Sequence, residues 1–217
     1  LQFAKAREVF MAKNKVALIS LGCPKNLVNS EQMLYLLCEA GMEIVPEPEE
    51  ADAVVVNTCG FIESAKSEAI DTIIEMGVLK KTGAIKSIIV TGCLAQRYSG
   101  EILKELPEID SVLGTGSYGD IVGTVRSSLK GKPVARFGDI NAPEKETGRI
   151  VSTGPAWSYI RIAEGCNNRC AFCVIPSIRG KYRSRKMEDI LEEARALAQT
   201  GTKELIVIAQ DITRYGT

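Results

Sequence analysis

Short apolar runs alternate with amphipathic stretches over the N-terminal part of the chain. The runs are rich in Val and Ile, lack polar alternation, and cover residues 16–21, 53–56, 87–90 and 111–113. Continuous apolar runs of this length are typical of strands that are buried on both faces of a parallel sheet. The pattern therefore predicts four buried strands.

Between and after these runs, apolar residues recur every three or four positions, as on one face of a helix. The predicted helices cover residues 30–40, 62–76, 97–106 and 118–129. Alternating strands and helices favour an α/β domain with a parallel sheet, because each crossover returns the chain to the same end of the sheet. We expect this domain to span residues 14–131 and to follow an N-terminal extension of residues 1–13.

The alternation stops within residues 132–156, which contain three prolines and show little periodicity. Proline and glycine in such a stretch are typical of a connection between domains. We therefore expect a linker here, with a short strand at residues 134–137.

A second α/β unit is predicted over residues 157–217. Its strands cover residues 158–163 and 204–209, the latter buried, and its helix covers residues 187–198. A parallel sheet needs more than two strands to bury its faces. We therefore expect the first part of a (β/α) partial TIM barrel, truncated where the chain ends.

The amino-acid composition excludes several kinds of catalytic and metal-binding site. The chain contains no histidine and seven cysteines, and its formal net charge is zero. Without histidine, Ser-His and Cys-His catalysis and histidine-ligated zinc are excluded. An odd number of cysteines without a secretory signal argues against a disulfide framework and favours metal binding in the reducing cytoplasm. No apolar run is long enough to span a membrane, and the zero net charge indicates no partner.

The strongest motif is CNNRCAFC, in which Cys166, Cys170 and Cys173 follow a predicted strand with the spacing C-x3-C-x2-C. Loops after barrel strands carry active sites. Three thiolates can hold three irons of a four-iron cluster and leave the fourth iron open for a ligand. The alternative is a zinc loop that a distant fourth ligand completes.

Three further cysteines each follow an apolar strand, namely Cys23, Cys59 and Cys93. Parallel strands end at one edge of their sheet, and ligands of open α/β sheets bind at that edge. Glycine lies next to each of these cysteines and allows close approach of the backbone. Singly, each would be a small core residue, but together they predict a shared cluster. Cys38 lies within a predicted helix, and we expect it to be structural.

The segment after the motif is basic, with six Lys and Arg residues between positions 166 and 187 and no acidic residue. Arginine binds carboxylates and phosphates through two hydrogen bonds, and Arg179 and Arg185 are the leading candidates for a cofactor or substrate carboxylate. A solvated loop or an RNA contact remains possible. Gln210 follows the last predicted strand, where it would face the mouth of a barrel.

At this point the sequence resembles a known family, the radical-SAM methylthiotransferases. The matching stretches are GCPKNLVNSE from Gly22, NTCGFIESAKSE from Asn57, TGCLAQRY from Thr91, EGCNNRCAFCVIPSIRG from Glu164 and AQDITRYG from Ala209. Pro24-Lys25 and Gly60-Phe61-Ile62 favour the branch that modifies a small-subunit ribosomal protein over the branch that modifies tRNA. Asn29 departs from the Asp that is common in the family.

The resemblance implies two [4Fe-4S] clusters, one on Cys166, Cys170 and Cys173 and an auxiliary cluster on Cys23, Cys59 and Cys93. It implies that S-adenosylmethionine binds the open iron of the first and is cleaved to a radical. The radical would take hydrogen from the β-carbon of an aspartate, which then receives a methylthio group. We expect the cofactor contacts to be Phe172, Arg179, Arg185 and Gln210.

Full-length members of the family also carry the rest of the barrel and a small TRAM domain, so we expect this fragment to be inactive alone. The expected partners are the aspartate-bearing loop of the ribosomal protein, an electron donor such as flavodoxin, and RNA. Two alternatives remain open. One is the same chemistry on a tRNA adenosine, and the other is a non-catalytic, zinc-stabilised RNA-binding module.

Overall fold

The computed structural model describes residues 13–143, 145–154 and 156–217, so the predicted extension of residues 1–13 lies almost wholly outside it. The N-terminal unit is built on a six-stranded parallel sheet with the strand order β2-β1-β3-β4-β5-β6. Its strands are β1 (Lys15–Ser20), β2 (Glu43–Ile44), β3 (Ala53–Thr58), β4 (Ser87–Gly92), β5 (Ser111–Leu113) and β6 (Ala135–Arg136). The predicted parallel α/β fold is confirmed.

Helices cover both faces of this sheet. They are α1 (Pro24–Glu39), α2 (Glu63–Lys81), α3 (Cys93–Arg97), α4 (Ile102–Glu105) and α5 (Ile121–Ser128). Side chains alternate across β3, so Val54 packs with Ile73 of α2 on one face while Val55 packs with Met33 of α1 on the other. Every residue of β3 and β4 is buried, which explains why these strands read as continuous apolar runs.

The second unit contains a short pair of parallel strands, a helix that packs on it, and a small pair of antiparallel strands. Strand β7 (Trp157–Arg161) pairs in parallel with β10 (Glu204–Ile208), and α7 (Met187–Gln199) contacts β7. A small antiparallel pair, β8 (Ala163–Glu164) and β9 (Arg183–Ser184), brackets the CNNRCAFC loop and the short helix α6 (Ile175–Arg179). The strand–helix–strand order of this unit agrees with the predicted start of a barrel.

Two sequence predictions are wrong in detail. The helix predicted at residues 97–106 is present only as the short α4, which begins at Ile102, because α3 ends at Arg97 and a turn with Ser99 and Gly100 lies between them. Both residues have low helix propensity. The strand predicted as buried at residues 204–209 is largely exposed, since β7 is its one strand neighbour among the described residues and successive residues such as Ile206 and Val207, which point to opposite faces, are both exposed.

The predicted linker is closely packed against both units. Its short strand β6 pairs with β5 and so belongs to the first sheet. Ser152 donates from its backbone N and from Oγ to Glu31 Oε1 of α1, at 2.7 and 2.8 Å. Arg149 lies between two carboxylates, with its Nε 3.6 Å from Glu31 and 3.2 Å from Glu193 of α7. Buried charges therefore join α1, the linker and α7, and the predicted domain limits remain predictions.

No helix in the described ranges is long and apolar enough to cross a membrane.

Adjacent isoleucines of α2 offer a matched test of the core. Ile73 is fully buried, whereas its neighbour Ile74 is 46% exposed. We expect Ile73→Ala to lower the free energy of unfolding by about 2–5 kcal/mol, because it removes packed methyl groups and leaves a cavity. Ile74→Ala should change it by less than about 0.5 kcal/mol. Urea denaturation measures both, and equal losses would contradict the described packing of α2.

The linker contacts can be tested with trypsin. The Arg149 side chain is 4% exposed, and we expect the folded chain to resist cleavage after it. Glu31→Ala removes the acceptor of both Ser152 hydrogen bonds and should expose this bond to rapid cleavage. Glu39→Ala, an exposed position on the same helix, is the control. Equal cleavage rates for the two variants would show that Glu31 does not hold the linker.

Candidate metal centres

The carboxyl ends of β1, β3 and β4 form one edge of the sheet. The strands run in register, with Ser20 opposite Asn57 and Asn57 opposite Thr91. Cys23 caps the start of α1, Cys59 follows β3, and Cys93 begins α3 directly after β4. All three are free thiols; Cys59 and Cys93 are buried and Cys23 is half-buried. The structure therefore brings Cys23, Cys59 and Cys93, hereafter the first trio, to one place.

Glycine makes this close approach possible. Gly22 has a φ of +89°, and a Cβ at this position would lie 2.5 Å from Cys59 Cβ. A Cβ on Gly60 would lie 2.8 Å from Leu94 Cα, next to Cys93. Contacts this short exclude a side chain. The segments that carry the three cysteines therefore touch each other through glycine backbone.

Two buried asparagines hold the strand ends together. Asn26 donates from Nδ2 to the carbonyl oxygens of Leu21 and Thr58, at 3.0 and 2.9 Å. Asn57 donates from Nδ2 to the Asn26 carbonyl oxygen and to Ser30 Oγ, both at 2.9 Å. Sequence analysis missed both residues. The available signal was the polar Asn57 within an otherwise apolar strand, which in a buried position requires hydrogen-bond partners.

A buried arginine from the second unit lies against the first trio. The Arg179 guanidinium is 3% exposed and donates from Nη2 to Cys93 Sγ at 3.2 Å and to Asn26 Oδ1. Burial raises the pKa of the Cys93 thiol, the Arg179 charge opposes this, and the thiols of Cys23 and Cys59 raise it further. The Arg179 guanidinium and the thiols of Cys23 and Cys59 therefore all act on the Cys93 thiol.

Glu164 balances the charge of Arg179 and precedes the second cysteine loop. Its Oε2 lies 3.3 Å from Arg179 Nη1 and 3.2 Å from Arg161 Nη1. Burial by itself raises the pKa of the Glu164 carboxyl, but Arg179 and Arg161 overcome this effect and lower the pKa to about 2. The backbone N of Gly165 and Nε2 of Gln210 also donate to this carboxylate. Glu164 is therefore ionised and held in place on all sides.

The CNNRCAFC loop carries the second trio, Cys166, Cys170 and Cys173. Cys166 is half-buried, and Cys170 and Cys173 are exposed free thiols. The base of the loop is anchored, since the backbone N of Cys166 donates to the Gly180 carbonyl at 3.1 Å. Phe172 has a φ of 62°, a conformation that non-glycine residues seldom adopt and that is often found at binding sites. The loop presents two thiols and this strained residue to solvent.

The four residues predicted to contact the cofactor occupy different environments. Arg179 and Gln210 both contact Glu164, and the guanidinium of Arg179 also reaches the first trio. Arg185 donates to Glu146 and Glu193 and to the carbonyl oxygen of Arg161, so its charge is already paired. Phe172 is fully exposed. Within the described part of the chain, Gln210 Oε1 is buried without a hydrogen-bond partner and could accept from a ligand. Cofactor contacts at all four positions remain predictions.

In the described ranges, no three Cys, Asp or Glu side chains are placed to hold one metal ion together, and a cluster at either trio remains a prediction. The thiolates of a four-iron cluster bind different irons and need not converge on one point. A cavity of about 190 Å³ lies beside Cys23 and is lined by Ser20, Gly22, Leu27 and Tyr159 among others. The first trio thus borders open space on the side that faces β7.

Comparisons with known proteins agree with this arrangement. Residues 15–114 match the family described as "Uncharacterized protein family UPF0004", and residues 160–215 match the Radical SAM superfamily. The N-terminal unit is therefore similar to UPF0004, and the second unit is similar to the radical-SAM superfamily.

The relatives by sequence are methylthiotransferases, in agreement with the motif resemblance. The chain is 53% identical over 203 residues to "Ribosomal protein uS12 methylthiotransferase RimO" of Clostridioides difficile (strain 630). It is 54% identical over 202 residues to the protein of the same name from Thermoanaerobacter sp. (strain X514). Both alignments cover 93% of this chain and 46% of the relative, so the chain spans about half the length of these proteins.

Solved structures with a similar fold are also radical-SAM enzymes. The radical S-adenosylmethionine methyltransferase TsrM from Kitasatospora setae, with tryptophan substrate and a SAM analog bound, has a TM-score of 0.65 at 12% identity. That match covers 93% of this chain and 48% of TsrM. A second TsrM structure, with cobalamin and a [4Fe-4S] cluster bound, has a TM-score of 0.58 at 13% identity over 92% of this chain and 48% of TsrM. At this identity the similarity concerns the fold alone.

Two glycines with similar backbone conformation test the packing of the first trio. Gly22→Ala should destabilise the chain strongly, because its methyl group would overlap Cys59 in addition to the strain of a positive φ. Gly41 has a φ of +81° with nothing within 4 Å of an added Cβ. Gly41→Ala should therefore cost only the conformational strain, about 1–2 kcal/mol. Urea denaturation compares them, and a smaller loss at Gly22 than at Gly41 would contradict the described contact.

Proposed function

We propose that this chain supplies both cluster-binding sites of a radical-SAM methylthiotransferase that acts on ribosomal protein uS12 in the cytoplasm. The observation that carries the proposal is the pair of three-thiol sites, one at the sheet edge and one on the CNNRCAFC loop, connected through Arg179 and Glu164. More than half of the aligned residues are shared with proteins named for this activity.

The two three-cysteine sites have different proposed roles. Cys166, Cys170 and Cys173 would hold a [4Fe-4S] cluster with one open iron for S-adenosylmethionine, and the first trio would hold the auxiliary cluster. Together these groups supply radical chemistry that acid–base side chains cannot, because an unactivated C–H bond must be broken. The exposure of Cys170 and Cys173 leaves room for a ligand, while the burial of Cys59 and Cys93 limits the access of water to their sulfurs.

We further propose that the methylthio group is added to the β-carbon of an aspartate in uS12. Pro24-Lys25 and Gly60-Phe61-Ile62 support it, as do the names of the relatives. An electron donor such as flavodoxin would reduce the clusters. Support for an RNA contact is weak, because Arg179 and Arg185 of the basic segment are engaged in internal ion pairs.

The cluster assignment predicts a defined iron content. After anaerobic reconstitution with iron and sulfide, we expect about eight irons per chain, as two four-iron clusters require. Replacing Cys23, Cys59 and Cys93 by Ala should leave about four irons, and so should replacing the three cysteines of the second trio. Metal analysis and the visible absorption of the clusters provide the measurement.

Cys38→Ala is the matched control, since Cys38 is an exposed thiol on α1 and should not affect iron binding. Stoichiometric zinc without iron would instead support the zinc-stabilised module. The substrate is tested separately by mass spectrometry of uS12 and tRNA from a strain that lacks the gene. Loss of the methylthio group from tRNA, with uS12 unchanged, would favour the tRNA alternative.

A further inference from the structure

Arg179 follows the second cysteine loop in the chain, yet its guanidinium lies at the first trio. Its Nη2 donates to Cys93 Sγ at 3.2 Å, and its Nη1 donates to Asn29 Oδ1 at 2.9 Å. Asn26 Oδ1 accepts a further hydrogen bond. The planar guanidinium is thus fixed by acceptors on several sides. A buried positive charge is therefore held directly against one of the proposed cluster ligands.

The charge on Arg179 is opposed by the carboxylate of Glu164. Glu164 Oε2 lies 3.3 Å from Nη1, whereas Asn26 and Asn29 are neutral amides. Glu164 also pairs with Arg161. The balance of charge next to Cys93 therefore depends on residues that the second unit supplies.

Reduction adds an electron to a cluster that already carries negative thiolates. Buried charge and hydrogen bonds to the sulfurs are the main protein contributions to the potential of such a cluster. Screening is weak in a buried site, so one charge at hydrogen-bond distance has a large effect. A cation stabilises the reduced state, and a carboxylate beside the cation reduces that stabilisation.

We propose that Arg179 is a positioning residue that raises the reduction potential of the cluster on Cys23, Cys59 and Cys93, and that Glu164 opposes it. This inference rests on the proposed function, which places a cluster at the first trio. It makes the potential of the auxiliary cluster depend on correct docking of the second unit, because that unit contributes both charges.

The test is a potentiometric titration, followed by electron paramagnetic resonance, of the chain with Cys166, Cys170 and Cys173 replaced by Ala. In this parent protein only the first trio can hold a cluster. Arg179→Gln should lower the ratio of reduced to oxidised cluster at a fixed potential about tenfold, as loss of a charged hydrogen bond implies. For one electron this is a shift of about 59 mV to more negative potential.

Two further variants are expected to shift the reduction potential in opposite directions. Glu164→Gln removes the opposing carboxylate and should shift the potential upward. Asn29→Asp keeps the side-chain shape, adds a carboxylate beside Nη1, and should shift it downward even if Arg179→Gln fails to fold. Structural damage alone would not produce opposite shifts.

Two control variants complete the set. Arg179→Lys retains the charge, and its reduction potential should stay near that of the parent protein. Arg183→Gln controls for the loss of a nearby cation that does not contact Cys93.

The outcomes separate this inference from the proposed function. Shifts of opposite sign for Glu164→Gln and Asn29→Asp support the inference. A loaded cluster whose potential is the same in both variants overturns it and leaves the proposed function intact. A parent protein that binds no iron at the first trio overturns the auxiliary cluster and this inference together.

Discussion

The parallel register of β1, β3 and β4 fixes the position of every group at the candidate metal centre of the first unit. Since these strands are neighbours that run in the same direction, the residues that follow each of them meet at one edge. Three cysteines far apart in the chain are thereby placed together without any local metal-binding motif. A slip of register in one strand would separate them, because side chains alternate between the two faces. The two cores on either side of the sheet hold the register in place.

Buried charges join the two units. Arg179 and Glu164 connect the second unit to the first trio, while Glu31, Arg149 and Glu193 join α1 to the linker and α7. Buried ion pairs contribute little net stability, but losing one partner is costly because the other is left without compensation. Such pairs therefore suit an interface that must adopt one orientation, and here that orientation brings a cation to Cys93.

The candidate site could be recognised from the sequence only in part. The strand-end cysteines, their flanking glycines and the CNNRCAFC spacing are local signals, and each could be interpreted without a structure. Asn26 and Asn57 were missed because their role is to connect strand ends, which is visible only when the strands are side by side. Arg179 as a cofactor contact stays a prediction, and its contact with Cys93 could not be predicted from a position after the second loop.

The parallel α/β fold, the two groups of cysteines and the class of chemistry they favour could all be predicted from the order of the amino acids. These follow from hydrophobic periodicity and from residue spacing within a few turns or strands, where steric rules are local. Three-dimensional contacts were needed to learn which charges face which thiols, that α4 begins only at Ile102, and how far β10 is exposed. Such outcomes depend on contacts between distant parts of the chain, as when Arg179 meets Asn26, and a pattern of neighbouring residues carries no information about them.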